Sequence, residues 1–290
     1  MHEISLNLIE NGLRSNLNSE LSRTALLCRL HSRIKEKYSI DEKIERKQYA
    51  KSGKLIQDLI GFRITTFFYE DLLIIAELCK KNFNVIDFVN DKPTDDQFCP
   101  QRRNMICELP HDLKQTYLDF KRSTTGYELT DGTFEIQFRT TLSEGWHEVD
   151  HMLRYKCKPD WNYLQDESRV LNGIYATLET SDHALKSLFK DIAYHHYKKR
   201  NWEAMLRNKM LIKFGTSRLS TTICDYFNEN PEMAKRFFRI NRKKTLVNYI
   251  DSTKSFSSTF DHWIYYINLT EIEDRFLNDI TPEYFIRLLE

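Results

Sequence analysis

The 290-residue chain has no stretch approaching the roughly 20 consecutive apolar residues of a membrane span. No membrane partner is expected. Its first residues, Met1-His2-Glu3-Ile4, hold neither the basic segment nor the apolar core of an export signal, which makes the cytoplasm the expected compartment. Six cysteines stand far apart, at 28, 79, 99, 107, 157 and 224, with no Cys-x-x-Cys pair. That spacing argues against a zinc ribbon or a thioredoxin-type site and for reduced, structural thiols. The formal net charge is only +1, so no whole-molecule field announces a nucleic-acid binder, although local basic runs exist. Internal repeats and low-complexity segments are missing too.

What is present is periodic. Residues 3–50 place apolar and charged residues at helical spacing and predict two or three helices. The β-branched and aromatic run ending at Phe68 predicts a strand entered through Asp58, Gly61 and Arg63. Glu70 to Lys81 predicts a helix and Phe83 to Phe88 a strand. Asp91 to Arg103, with Pro93 and Pro100, predicts a loop. Strands are expected at Asn104–Leu109 and Thr133–Thr140 with an irregular stretch between, then a helix over 143–156. Beyond Pro159 the pattern is helical to the end. The fold class expected is α+β, a mixed β-sheet flanked by helices, with a domain at 1–158 and an all-helical C-terminal domain at 159–290.

Alternation in a strand puts Phe134, Ile136 and Phe138 on one face and Glu135, Gln137 and Arg139 on the other. An acid, an amide and a guanidinium on one face can hold a metal and a polyphosphate; a solvated sheet face has the same composition. Asp58 can supply a second carboxylate to Mg²⁺, which takes one or two protein carboxylates beside phosphates and waters. Read as a helix, the run Arg33 to Lys43 places Lys35, Ser39 and Lys43 four apart on one face, a row able to grip a triphosphate or simply to face solvent. His147-Glu148-Val149-Asp150-His151 is a His-Glu-x-x-His zinc-peptidase motif. Its Gly and third His are lacking, and so short a pattern recurs by chance.

Taken together, Arg33-x-Lys35, Ser39 and Lys43, then Asp58-x-x-Gly61-x-Arg63, then Glu135-Ile136-Gln137-Phe138-Arg139-Thr140, then Trp146, Asp150-His151 and Tyr155-Lys156 resemble the synthetase domain of the RelA/SpoT family, in particular its small hydrolase-less members. The resemblance implies a nucleotidyltransferase-like sheet and transfer of the β,γ-pyrophosphate of ATP to a ribose 3′-hydroxyl, with GDP or GTP as default acceptor giving (p)ppGpp. By family roles, Arg33, Lys35, Ser39 and Lys43 would hold ATP. Asp58 and Glu135 would bind Mg²⁺, with Glu135 also helping to deprotonate the hydroxyl. Arg63 would contact phosphate. Gln137, Arg139, Asp150 and His151 would form the acceptor side. Small members are often homo-oligomers, and no segment here marks an interface.

The sequence departs from the family in the acceptor loop, Gly-Tyr-x-Ser-x-His, whose Tyr stacks on guanine. Phe98-Cys99-Pro100-Gln101-Arg102-Arg103-Asn104 stands there instead, so the guanine platform is either missing or replaced, by Phe98 or an arginine guanidinium. Gly126-Tyr127 looks similar but follows the strand. Glu144 replaces an Asn common in small members. Asp182-His183 reads as helix surface, so the family's hydrolase is not expected. Two alternatives follow: a toxic family variant acting on the tRNA 3′ end or on adenine nucleotides, and a catalytically inactive nucleotide sensor. The basic-aromatic run Lys235 to Lys244 suits tRNA, but an amphipathic helix with a basic face explains it better.

Overall fold

The computed structural model describes residues 2–91, 100–252 and 254–290. Phe98, and most of the loop expected at Asp91–Arg103, lie outside the described residues. The chain divides into two compact units, residues 1–20 with 28–181, and residues 21–27 with 182–290.

The first unit opens with helix α1 (His2–Thr24), whose early part lies in it. Strand β1 (Cys28–Ile34), helix α2 (Lys37–Lys47), the single turn α3 (Tyr49–Ser52) and β2 (Ile60–Thr66) follow. Then come α4 (Tyr69–Asn82), β3 (Val85–Asn90), β4 (Arg103–Glu108), α5 (His111–Ser123), β5 (Thr133–Thr140) and α6 (Thr141–Val149). A π-helix (Asp150–Tyr155) and a 3₁₀ turn (Lys158–Trp161) lead into the long α7 (Gln165–Lys198). The strands form one sheet in the order β1-β2-β5-β4-β3. Only the β2–β5 pair is parallel. This is the mixed sheet with flanking helices that the sequence predicts.

Alternation decides which face is which. Phe62, Ile64, Met105, Phe134, Ile136 and Phe138 are buried, with Phe62 and Phe83 meeting Phe134 edge to face at 6.0 and 5.2 Å. Helix α4 buries Leu72, Ile74, Ile75 and Leu78 and carries Glu70 and Asp71 in its first turn and Lys80 and Lys81 in its last, in keeping with its dipole. Gly12 of α1 permits close approach of α5, since a Cβ there would meet the Leu113 side chain at 3.1 Å.

Two of the expected elements need correction. Residues 28–34 are a strand. β1 is an edge strand whose residues are alternately exposed and half-buried, so its charged outer residues mimic a polar helix; pairing with β2 overrides that pattern. The helical row Lys35, Ser39, Lys43 therefore does not exist, because Arg33 ends in β1 and Lys35 lies in the turn before α2. The stretch after Leu109 contains α5, which buries only Tyr117 and Phe120 and is otherwise polar. A 3₁₀ turn lies at Lys158–Trp161, and the compact units divide within α7, after Ser181. Tyr175 of α7 packs on Trp146 at 4.9 Å, and Trp146 Nε1 donates to the Leu171 carbonyl at 2.7 Å.

In the second unit α7 ends and α8 to α14 follow: Trp202–Met210, Thr221–Glu229, Pro231–Arg239, Arg242–Asp251, Phe260–Ile267, Arg275–Ile280 and Glu283–Leu289. Trp263, Phe227, Phe237, Phe260 and Phe285 are fully buried. The basic-aromatic run spends its rings on this core: Phe237 is buried and Phe238 stacks on Tyr197 at 6.2 Å. Arg242 is buried and donates to the Met210 carbonyl. The run is an amphipathic helix pair. Asp182 is buried, at 4% exposure, not on the surface as expected; it lies two helical turns after buried Tyr175. Among the described residues no helix is long and apolar enough to cross a membrane.

Candidate active site

The polar face of the sheet in the first unit forms the floor of a cleft of about 910 Å³. Register sets its pattern. Gly61 lies beside Glu135, and Arg63 beside Gln137. Asn104 lies on Gln137's other side. Arg33 and His31 continue the two rows on β1. Gly61 carries no side chain between Arg33 and Glu135, which keeps that part of the floor open.

One wall is cationic. Lys35 Nζ and Lys43 Nζ both donate to the Asp58 carboxylate, Lys43 at 2.8 Å. Burial opposes the charge on all three. For Asp58 the two ammonium groups outweigh it and hold the carboxyl below its usual range. For Lys43, Asp58 likewise prevails and its pKa is raised. For Lys35 burial prevails and its pKa is lowered. Ser39, Arg46 and Lys47 complete this wall.

The floor is a hydrogen-bonded rail. Asn104 Nδ2 donates to Glu135 Oε1 at 2.9 Å, and Gln137 Nε2 donates to Glu135 Oε2 at 2.8 Å. Arg63 Nε donates to Gln137 Oε1 at 3.2 Å. The Arg63 guanidinium is held from the far side by Glu144 and Glu148. Arg139 faces Glu144 at 3.7 Å. Burial, then the charge of Arg63, pushes Arg139 below its ordinary value.

The opposite wall comes from α6 and the π-helix. Thr140 starts α6 through a capping box with Ser143. His147 is pressed against Trp146 and Tyr175, and burial followed by the charges of Arg139, Arg63 and Arg103 pushes it down to about 3. The π-turn adds a residue per turn and brings Asp150, His151 and Tyr155 to the cleft. Burial, Lys156 and Arg33 lower His151. Arg154 anchors the turn, donating to Asp150 at 2.6 Å and to Asn172 at 3.0 Å, with its guanidinium over Trp146 and Trp161 at 5.6 and 5.8 Å.

All the ATP-side residues expected from the sequence, Arg33, Lys35, Ser39 and Lys43, line this cleft, as do Asp58, Glu135, Gln137, Arg139, Asp150 and His151. Arg63 lines a smaller adjoining pocket of about 190 Å³, which Asp58, Glu135 and Glu148 share. Tyr127 is not among the lining residues; it packs on Phe120 at 4.9 Å. Glu148 of the His-Glu-x-x-His motif is spent on Arg63. Among the described residues no group of three or more His, Cys, Asp or Glu is placed to hold a metal ion. Sequence reasoning missed Asn104 and the Glu144–Glu148 pair and gave Tyr155 of the motif series no role; only tertiary pairing reveals the first, while Glu144 and Glu148, four apart, face one side of a helix.

Residues 32–160 match the family described as the region found in RelA/SpoT proteins. The matched stretch is similar to a RelA/SpoT region. It contains every block of the motif series and every residue of the rail, and the cleft just described lies within it. The chain is also similar to the small alarmone synthetase 1 of Bacillus subtilis, 19% identical over 64% of this chain and 91% of that one, with a TM-score of 0.46. A GTP pyrophosphokinase family protein of Streptococcus pneumoniae is 19% identical over 66% of this chain and 90% of that one, with a TM-score of 0.48. The B. subtilis synthetase 1 bound to its product pppGpp is 21% identical over 64% and 89%, with a TM-score of 0.43. No curated protein matches this chain.

Proposed function

We propose that the chain is a GTP pyrophosphokinase-like diphosphotransferase that moves the β,γ-pyrophosphate of ATP to a ribose 3′-hydroxyl, with GDP or GTP as the default acceptor. The observation that carries this is the meeting of Arg33, Lys35, Ser39 and Lys43 with Asp58 and Glu135 in one cleft of the RelA/SpoT region.

The 3′-oxygen attacks the β-phosphorus, the bond from that phosphorus to the α,β-bridging oxygen breaks, and AMP leaves. Such a reaction depends on positioning and charge neutralisation more than on covalent help. Lys35, Lys43 and Arg33 supply positive charge to the triphosphate. Glu135, fixed by its two amide donors, accepts the hydroxyl proton. Gln137, Arg139, Asp150 and His151 shape the acceptor side. Asp58 already holds two cations and stays ionised, so with Glu135 it makes the two-carboxylate set that suits Mg²⁺. That ion would neutralise charge on the transferring phosphates.

The test uses γ-labelled ATP and Mg²⁺ with separate pools of GDP, GTP, adenine nucleotides and tRNA. Label on GDP or GTP is the expected outcome. Label confined to tRNA or to adenine nucleotides would move the reading to the toxic variants. No transfer to any pool, with ATP still bound, would leave a nucleotide sensor.

A further inference from the structure

The transferase reading leaves one recognition problem, the base of the acceptor. The family's guanine-stacking tyrosine has no counterpart before β4. Tyr127 packs on Phe120 instead of lining the cleft. Apart from histidines, the aromatic rings among the cleft's described lining residues are Tyr49 and Tyr155. Tyr49 lies on the cationic donor wall, with the Lys43 ammonium 5.9 Å from its ring. Tyr155 lies on the opposite wall, one turn beyond Asp150 and His151.

Its setting is that of a stacking surface. Its ring lies nearly parallel to His151, at 16° and 5.7 Å between centroids. It is 36% exposed. The Arg46 guanidinium stands 5.3 Å from the ring centroid, across from α2, and Arg46 is itself exposed. A flat π-surface with the exposed Arg46 guanidinium over it, and the Lys158 ammonium 5.1 Å from the same centroid, accepts a nucleobase by stacking and cation–π attraction.

We propose that the His151–Tyr155 ring pair, roofed by Arg46, is a stacking platform for the purine base of the acceptor. The proposal rests on the transferase reading for the word acceptor, not for the binding itself. The purine comes from a free nucleotide or from the 3′-terminal nucleotide of an RNA. Arg46 swings aside as the base enters and then covers it.

Calorimetry tests this with the ATP site filled by an analogue carrying methylene in place of the α,β-bridging oxygen, so that no transfer occurs. GDP, ADP, CDP and deacylated tRNA are titrated into the wild type and into Tyr155→Ala, Tyr155→Phe and Tyr49→Ala. Purine binding, by whichever of GDP, ADP or tRNA the wild type takes, should weaken about tenfold or more in Tyr155→Ala. It should survive in Tyr155→Phe and Tyr49→Ala, and CDP should bind the wild type more weakly than the purines. Affinity for the ATP analogue should stay the same in both Tyr155 variants. Unchanged purine affinity in Tyr155→Ala would overturn the platform, as would equal loss in Tyr155→Phe, or a wild type that binds none of the purine probes. Absence of label transfer in the earlier assay, with this pattern intact, would sink the transferase reading alone.

Discussion

Asn104 carries more of the site than its neutral side chain suggests. It donates to one oxygen of Glu135 while Gln137 donates to the other, so the carboxylate cannot rotate without breaking a bond. Asn104→Asp keeps the shape, removes the donor and sets a like charge against Glu135. The expected outcome is a fall in kcat of about 10- to 100-fold with little change in KM for ATP. A kcat within about twofold of wild type would remove Asn104 from the mechanism. His147 makes a pH prediction. Its pKa in the folded chain is about 3, against about 6.5 unfolded. Between those values the unfolded chain binds the proton and the folded one does not, so stability is full above pH 6.5 and falls as the medium is acidified toward pH 3. Urea unfolding at pH 7 and pH 5 should show the wild type losing about 2 kcal/mol more than His147→Gln. Equal losses would refute the assignment.

At the scale of elements, the π-turn sets the cleft wall proposed for the acceptor. Arg154 braces the turn from within through Asp150 and ties it to α7 through Asn172 and the Ser168 carbonyl. Arg154→Ala should lower stability by about 2 kcal/mol, since it strands Asp150 and opens the space between two tryptophans. It should also raise the acceptor KM more than the ATP KM, because Asp150, His151 and Tyr155 ride on that turn. An ATP KM that rises as much as the acceptor KM would mean the turn does not serve the acceptor wall selectively. Elements were legible where an apolar stripe was strong. α4, β4 and β5 follow directly from spacing. β1 and α5 did not, because an edge strand and a helix with two buried rings leave little apolar signal.

For the molecule as a whole, near-neutral charge conceals segregation. The cleft gathers Arg33, Lys35, Lys43, Arg46, Lys47, Arg102, Arg139 and Lys156 around fewer carboxylates, although the net formal charge is +1. ATP affinity should therefore weaken by about fivefold or more between 50 and 500 mM NaCl, as screening at that range predicts for partly exposed charge. A salt-independent Kd would show that the wall contributes no field.

The amino-acid sequence by itself determined the binary pattern of β5, Phe134-Ile136-Phe138 inward and Glu135-Gln137-Arg139 outward, because strand alternation is local. It also determined the order of the motif blocks and the helical character beyond residue 159, since apolar spacing needs no partner to be read. Only the tertiary structure decided that Lys35 and Lys43 converge on Asp58 from a turn and a helix instead of from one helix face. It alone brought Asn104 from β4 to Glu135, and ran α7 through both compact units. Those facts depend on which strands pair and in what register, and pairing is a contact between distant segments that no local pattern encodes.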